Sequence, residues 1–136
     1  MKVFVDTSAW IALMVSADDH HAEATRVFER LLAENALVIT SNYVLAETLT
    51  WLRYEVGFQV AVDFHLVIER ARADKRLRLE WVDEAVSSQA WLLFTGFADQ
   101  ELSVADCTSA VIARQLESDV FAYDQDFVTL GFNVLA

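Results

Sequence analysis

The sequence predicts an α/β fold: one domain built on a mostly parallel β-sheet with helices on both faces. Short β-rich apolar segments alternate with helical patterns along the whole chain. Strands separated by helices need crossovers, which run the strands parallel and cover the sheet on both sides. The 136 residues are 55% hydrophobic and 12% aromatic, too apolar for a disordered chain and enough for one core without staples. There is no proline, only three glycines, and neither a repeat nor a low-complexity stretch, so nothing marks a linker.

The first β-rich segment is Lys2 to Val5, followed by Leu37 to Thr40, Leu77 to Val82, Val120 to Tyr123 and Asn133 to Leu135. Helical patterns fall near 8–15, 20–34, 42–55, 58–73, 83–95 and 103–117. Helix 42–55 follows the cap signal Ser41-Asn42. Helix 103–117 opens with Ser103 three residues before Asp106, the spacing of a capping box. A short turn or helix after Asp124 leads to Gly131, a stop before the last strand.

Ten basic residues against 21 acidic ones give a net charge of −11, which argues against a simple phosphate-neutralising nucleic-acid binder. Two features offset this: a divalent cation would balance clustered carboxylates, and five of the ten basic residues, Arg70, Arg72, Lys75, Arg76 and Arg78, share one nine-residue window. That window reads either as an RNA guide or as a solvated helix end and loop. No export signal is visible at the N-terminus, and the apolar run from Ala9 to Val15 is far short of the roughly 20 residues that span a bilayer. The single cysteine, Cys107, cannot form an internal disulfide, in keeping with a reducing cytoplasm.

Four acids from distant segments converge in this arrangement. Asp6 ends the first strand and Asp124 the strand from Val120, so both lie at the carboxyl edge of a parallel sheet, where open α/β sheets place ligands. Glu47, in the second turn of helix 42–55, and Asp106, in the first turn of helix 103–117, start from the same edge. Singly, each has a plainer explanation: Asp106 as the third residue of a capping box, Asp6 and Asp124 as turn residues, Glu47 as an exposed helix acid. Glu47, however, has Thr50 and Trp51 at its (i, i+3) and (i, i+4) positions and so no downstream basic partner. Carboxylates held together repel, and a hard divalent ion such as Mg²⁺ or Mn²⁺ relieves that repulsion while supporting phosphodiester hydrolysis.

The segments VFVDTSAW (3–10), SNYVLAETLTWL (41–52), LSVADCTSAVIARQL (102–116) and VFAYDQDF (120–127) resemble, in order and spacing, the acidic motifs of the PIN-domain family. The closest likeness is to the VapC-type ribonuclease toxins of prokaryotic toxin–antitoxin pairs. The resemblance implies a five-stranded parallel sheet, a Mg²⁺- or Mn²⁺-dependent endoribonuclease acting on RNA, a homodimer, and a cognate antitoxin that blocks the site. It places Asp6 and Asp106 as the main metal ligands and has Glu47 position or deprotonate a water. Asp124 completes the cluster, with Asp126 as the alternative fourth acid. Thr7 and Ser8 are the hydroxyl pair that would orient Asp6, although a turn or helix cap explains Ser8 equally well.

Cys107 reads as a packed core residue, and His20, His21 and His65 as structural or surface residues. Trp10, Trp51, Trp81 and Trp91 are able to stack bases but stand at positions expected for core or dimer contacts. A phosphatase of the HAD type is disfavoured because Ser8 stands where its second Asp is expected. A receiver-type signalling domain is disfavoured because no lysine follows Lys75, although Asp83 follows the third strand. A catalytically inactive acidic binding or dimerisation module of the same fold remains the chief alternative.

Overall fold

The computed structural model describes residues 1–135. Five strands, β1 (Lys2–Val5), β2 (Leu37–Ser41), β3 (Leu77–Glu80), β4 (Asp119–Phe121) and β5 (Val134–Leu135), form one sheet in the order β3-β2-β1-β4-β5. Every pairing is parallel, and Phe4 in the central strand lies between Ile39 and Val120. Val3, Phe4 and Val5 are all fully buried, so side chains on both faces of β1 are covered. Among the described residues seven helices surround the sheet: α1 (Thr7–Met14), α2 (His21–Ala33), α3 (Asn42–Glu55), α4 (Phe58–Ala73), α5 (Glu84–Gly96), α6 (Val104–Gln115) and α7 (Asp126–Thr129). The expected architecture and the expected helices are present, with ends shifted by one or two residues.

The helix starts follow from local chemistry. Ser41 closes β2 and caps α3, its Oγ accepting the Val44 N–H at 3.1 Å. Asn42 Oδ1 accepts the Val82 N–H at 2.7 Å, which fixes the chain after β3 beside the start of α3. Asp83 caps α5 by accepting from Val86 N–H. An aspartate used in this way is not the free acceptor that a receiver-type domain would require.

The helix-to-strand turns share one device. Asn35, Lys75 and Glu117 take left-handed backbone angles (φ 53°, 58° and 52°), as does Gly131 (φ 91°). At each, the following N–H reaches back to a carbonyl in the last turn: Ala36 to Leu31, Arg76 to Ala71, Ser118 to Ala113 and Phe132 to Phe127. This Schellman closure satisfies carbonyls that a helix end leaves free and turns the chain into the next strand. Only Gly131, the expected stop, adopts the angle without a Cβ penalty.

Trp10 is the largest fully buried side chain and links the layers. It packs edge-on against Phe28 and Phe64, while its Nε1–H donates to Thr40 Oγ1 at 3.3 Å, so its one polar atom is satisfied. Cys107 is fully buried, as expected of a core cysteine. Trp51, Trp81 and Trp91, however, are 39%, 66% and 57% exposed, which corrects the core expectation for three of the four tryptophans. Among the described residues no helix is long and apolar enough to cross a membrane.

Candidate active site

The strand order reverses at β1, from which the chain builds outward first through β2 and β3 and then through β4 and β5. The crevice at the carboxyl ends of β1 and β4 is therefore the topological switch point. Asp6 lies there, immediately after β1 at the N-cap of α1. Its side chain makes no capping bond and is 5% exposed. Burial pushes its pKa from 3.8 up to about 7, and the charge of Asp106 adds to the rise. The Thr7 amide pulls the other way, while Glu47 and Asp124 raise it further.

Asp106 is in the first turn of α6, a helix that runs down to the start of β4 and so begins at the carboxyl edge. The expected capping box is formed: Ser103 Oγ accepts the Asp106 N–H at 3.0 Å, and Asp106 Oδ2 accepts the Ser103 N–H at 3.2 Å. The cap does not remove Asp106 from the acidic group. Asp106, Asp124 and Asp126 each present a carboxylate oxygen within 4.8 Å of the others. Burial raises the Asp106 pKa, the Ser103 hydrogen bonds lower it, and Asp124 and Glu47 raise it.

Asp124 does not end a strand as expected. β4 stops at Phe121, and Asp124 starts a turn in which its Oδ1 accepts the Asp126 N–H at 2.9 Å. The turn brings both candidate fourth acids to the cluster, where burial and the adjacent Asp124 raise the Asp126 pKa. Glu47 is exposed in the second turn of α3, and its charge reaches Asp6 and Asp106. None of the ion pairs among the described residues involves any of these acids.

Two expectations about supporting residues need correction. Ser8 does not orient Asp6: its Oγ accepts the Tyr123 N–H at 2.9 Å, so it clamps the chain just before Asp124. That bond also explains why β4 is short, since the Tyr123 amide has left the ladder for a side chain. Thr7 Oγ1 is buried without a hydrogen-bond partner among the described residues.

The second correction concerns the basic window. Arg70, Arg72, Lys75 and Arg76 precede β3 and therefore lie at the amino edge of a parallel sheet, opposite the acids. Arg70 pairs with Asp74 at 3.3 Å, Arg72 with Glu69 at 3.2 Å, and Arg78, inside β3, with Glu80. Arg70 and Arg76 also rim an apolar cavity of about 520 Å³ lined by Trp10, Phe28 and Leu77. Lys2, opening β1, and Arg114, in the last turn before β4, share this edge. The window is thus not assembled with the acids it was expected to serve.

Sequence reasoning also left out an aromatic pair. The His20 and Tyr123 rings stack 4.1 Å apart at an interplanar angle of 9°. His20 is exposed and on the surface, as expected, and His21 is structural, its Nδ1 lying 2.8 Å from the Ala12 carbonyl.

Comparison with known proteins shows the family and the fold. A family model described as PIN domain matches residues 3–133. The 23S rRNA-specific endonuclease VapC20 of Mycobacterium tuberculosis is 34% identical over 131 residues, covering 96% of this chain and 95% of the relative. Its crystal structure, described as that of a Sarcin-Ricin loop cleaving toxin, superposes with a TM-score of 0.83 at 35% identity over 96% of this chain and 95% of that one. VapBC2 from Rickettsia felis, solved bound to a DNA fragment from its promoter, shares the fold at a TM-score of 0.74 and 14% identity, covering 99% of this chain and 98% of that one. The family match spans the segments that carry Asp6, Glu47, Asp106 and Asp124, and the chain belongs to the PIN domain family.

Proposed function

We propose that this protein is a metal-dependent endoribonuclease that hydrolyses RNA phosphodiester bonds and is the toxin of a toxin–antitoxin pair. One observation carries the reading: Asp106, Asp124 and Asp126 bring carboxylate oxygens within 4.8 Å of one another at the switch point, beside the buried Asp6 whose pKa the charges of Asp106, Glu47 and Asp124 help to raise, with no ion-paired cation to balance them among the described residues. Such a group costs repulsion and desolvation that a divalent cation relieves. The donors suit Mg²⁺ or Mn²⁺, being all oxygen, with three carboxylates close enough to share one ion.

Asp6 and Asp106 would hold the ion, and Asp124, with Asp126 beside it, would complete the set. When bound, it supplies positive charge against the charge that develops on the phosphate. The chain's residues divide the remaining work. The Ser103 N–H fixes one oxygen of Asp106 and thereby the direction of the other. Ser8 holds the turn that carries Asp124 and Asp126. Glu47, exposed on α3, accepts the proton of the attacking water at its carboxylate.

The full-length similarity to an rRNA endonuclease supports RNA as the substrate. The relatedness to VapC20 supports a cognate antitoxin, which we propose puts a basic side chain into the acidic pocket. A homodimer is part of the same reading, and Trp91 and Leu92, 57% and 70% exposed on α5, suit a contact between copies. The proposed compartment is the cytoplasm. The deciding experiment is cleavage of a mixed RNA pool with Mg²⁺ or Mn²⁺, with EDTA, and with Asp6→Asn. Cleavage that survives both EDTA and the substitution refutes the mechanism. A folded protein that binds Mn²⁺ and cleaves nothing is the inactive binding module instead.

A further inference from the structure

The acidic balance of the chain leaves open how a polyanion is held at this edge, and the structure points to aromatic side chains. Trp81 is the first residue beyond β3 and is 66% exposed; Tyr43, in the first turn of α3 directly after β2, is 40% exposed. The Asn42–Val82 hydrogen bond keeps these two carboxyl ends together. Beyond Asp6 at the end of β1, Tyr123 follows β4 and carries the exposed His20 ring stacked on it. In the order β3-β2-β1-β4, the edge therefore presents Trp81, Tyr43, the acids, and His20 on Tyr123, across three strand spacings of about 4.8 Å each.

We propose that these aromatic side chains are stacking platforms that grip the bases of a single RNA strand on either side of the acids, replacing the phosphate contacts that the Arg70 to Arg78 window does not supply here. The inference rests on the nuclease reading for the identity of the strand. Stacking tolerates any base and needs no positive charge, which suits an edge where carboxylates dominate and Arg26, whose charge reaches Tyr123, is the cation beside the platforms. Tyr123 is held for the task from two sides: its N–H by Ser8, and its ring by the edge-on contact with Phe121 at 5.9 Å.

The test uses the Asp6→Asn protein, which separates binding from cleavage, with a 5′-labelled single-stranded RNA of about 12 nucleotides and mixed sequence. Fluorescence anisotropy is read in Mg²⁺ over a range of salt. Trp81→Ala and His20→Ala should each weaken binding about 5- to 100-fold, while Trp81→Phe and His20→Trp should restore most of it. The plot of log affinity against log salt should be shallow, with a slope of about −1, since each phosphate contact on a single strand contributes about −0.7. In the wild-type background the same substitutions should raise KM and leave kcat within about twofold. Unchanged affinity in both alanine variants, or a slope steeper than about −3, overturns the proposal. So does a Trp81→Ala protein that loses RNA only by dissociating into single chains in sedimentation, which would assign this face to a second copy. Unaltered KM in active variants sinks the platforms and spares the nuclease; a wild type that binds through them but never cleaves sinks the nuclease and spares the platforms.

Discussion

Replacing Asp6 by Asn should make the metal-free protein more stable at pH 8 and leave it nearly unchanged at pH 4. The folded protein holds the Asp6 proton up to about pH 7, against 3.8 for an unperturbed side chain. Between those values the folded state binds more protons than the unfolded one, so stability falls as pH rises. The cost is absent below the unfolded value and complete above the folded one. Three units at about 1.36 kcal/mol each come to about 4 kcal/mol at pH 8. Asparagine keeps the shape without the charge, and it forfeits no capping bond because the Asp6 side chain makes none. Urea unfolding of both proteins in EDTA at pH 5, 6, 7 and 8 gives the difference, which combines the loss of the buried Asp6 charge with the relief that loss brings to Asp106, Glu47 and Asp124. The variant should gain about 1 kcal/mol per pH unit across the middle of this range. A difference independent of pH, or a variant less stable at pH 8, refutes the account of Asp6 as a buried and repelled carboxyl.

With Mn²⁺ at one hundred times its dissociation constant, the wild type should gain about 2.7 kcal/mol, and Asp106→Asn much less, measured by thermal melting; equal shifts would leave Asp106 as a cap only. Ser103→Ala, which keeps the carboxylate and removes the cap, should cost about 1 kcal/mol while retaining the Mn²⁺ shift. Ser8→Ala should leave the Tyr123 N–H without its acceptor, cost about 1–2 kcal/mol in urea unfolding, and lower kcat by loosening the turn before Asp124. Glu117→Gly should stabilise by about 0.5–1 kcal/mol in the same assay, since the left-handed angle there burdens any residue with a Cβ.

The sheet and helices were legible because their signals are local: Ser41, Ser103 and Gly131 act within a few residues of where they stand. That Asp6, Asp106 and Asp124 lie at one edge was legible because order along a parallel sheet decides which edge a residue occupies. The same rule, applied to Arg70 through Arg76, already places them before β3 and thus at the wrong edge; grouping by charge obscured what grouping by topology states. The role of Ser8 was not legible. Its partner lies 115 residues away, and no local pattern distinguishes a hydroxyl that orients its neighbour from one that captures a distant amide. The core half of the expectation for the tryptophans failed at Trp51, Trp81 and Trp91 for a related reason. Trp81 fell inside the expected strand Leu77 to Val82, yet β3 ends at Glu80, and the first residue past a strand end need not be covered.

The Ser8–Tyr123 bond also sets a schedule. It joins segments separated by 115 residues, and the pairing of β1 with β4 spans a comparable stretch of chain. At synthesis rates of about 5–20 residues per second, roughly 6–23 s pass between emergence of the two halves of the site from a ribosome. Through that interval Asp6 waits without Asp106, Asp124 or Asp126, and β1 lacks the neighbour that completes its burial. The acidic site therefore does not exist on a nascent chain and forms only when the final strands dock. Closing loops of this length is also slow in general, so assembly of the acidic edge is a late event in folding.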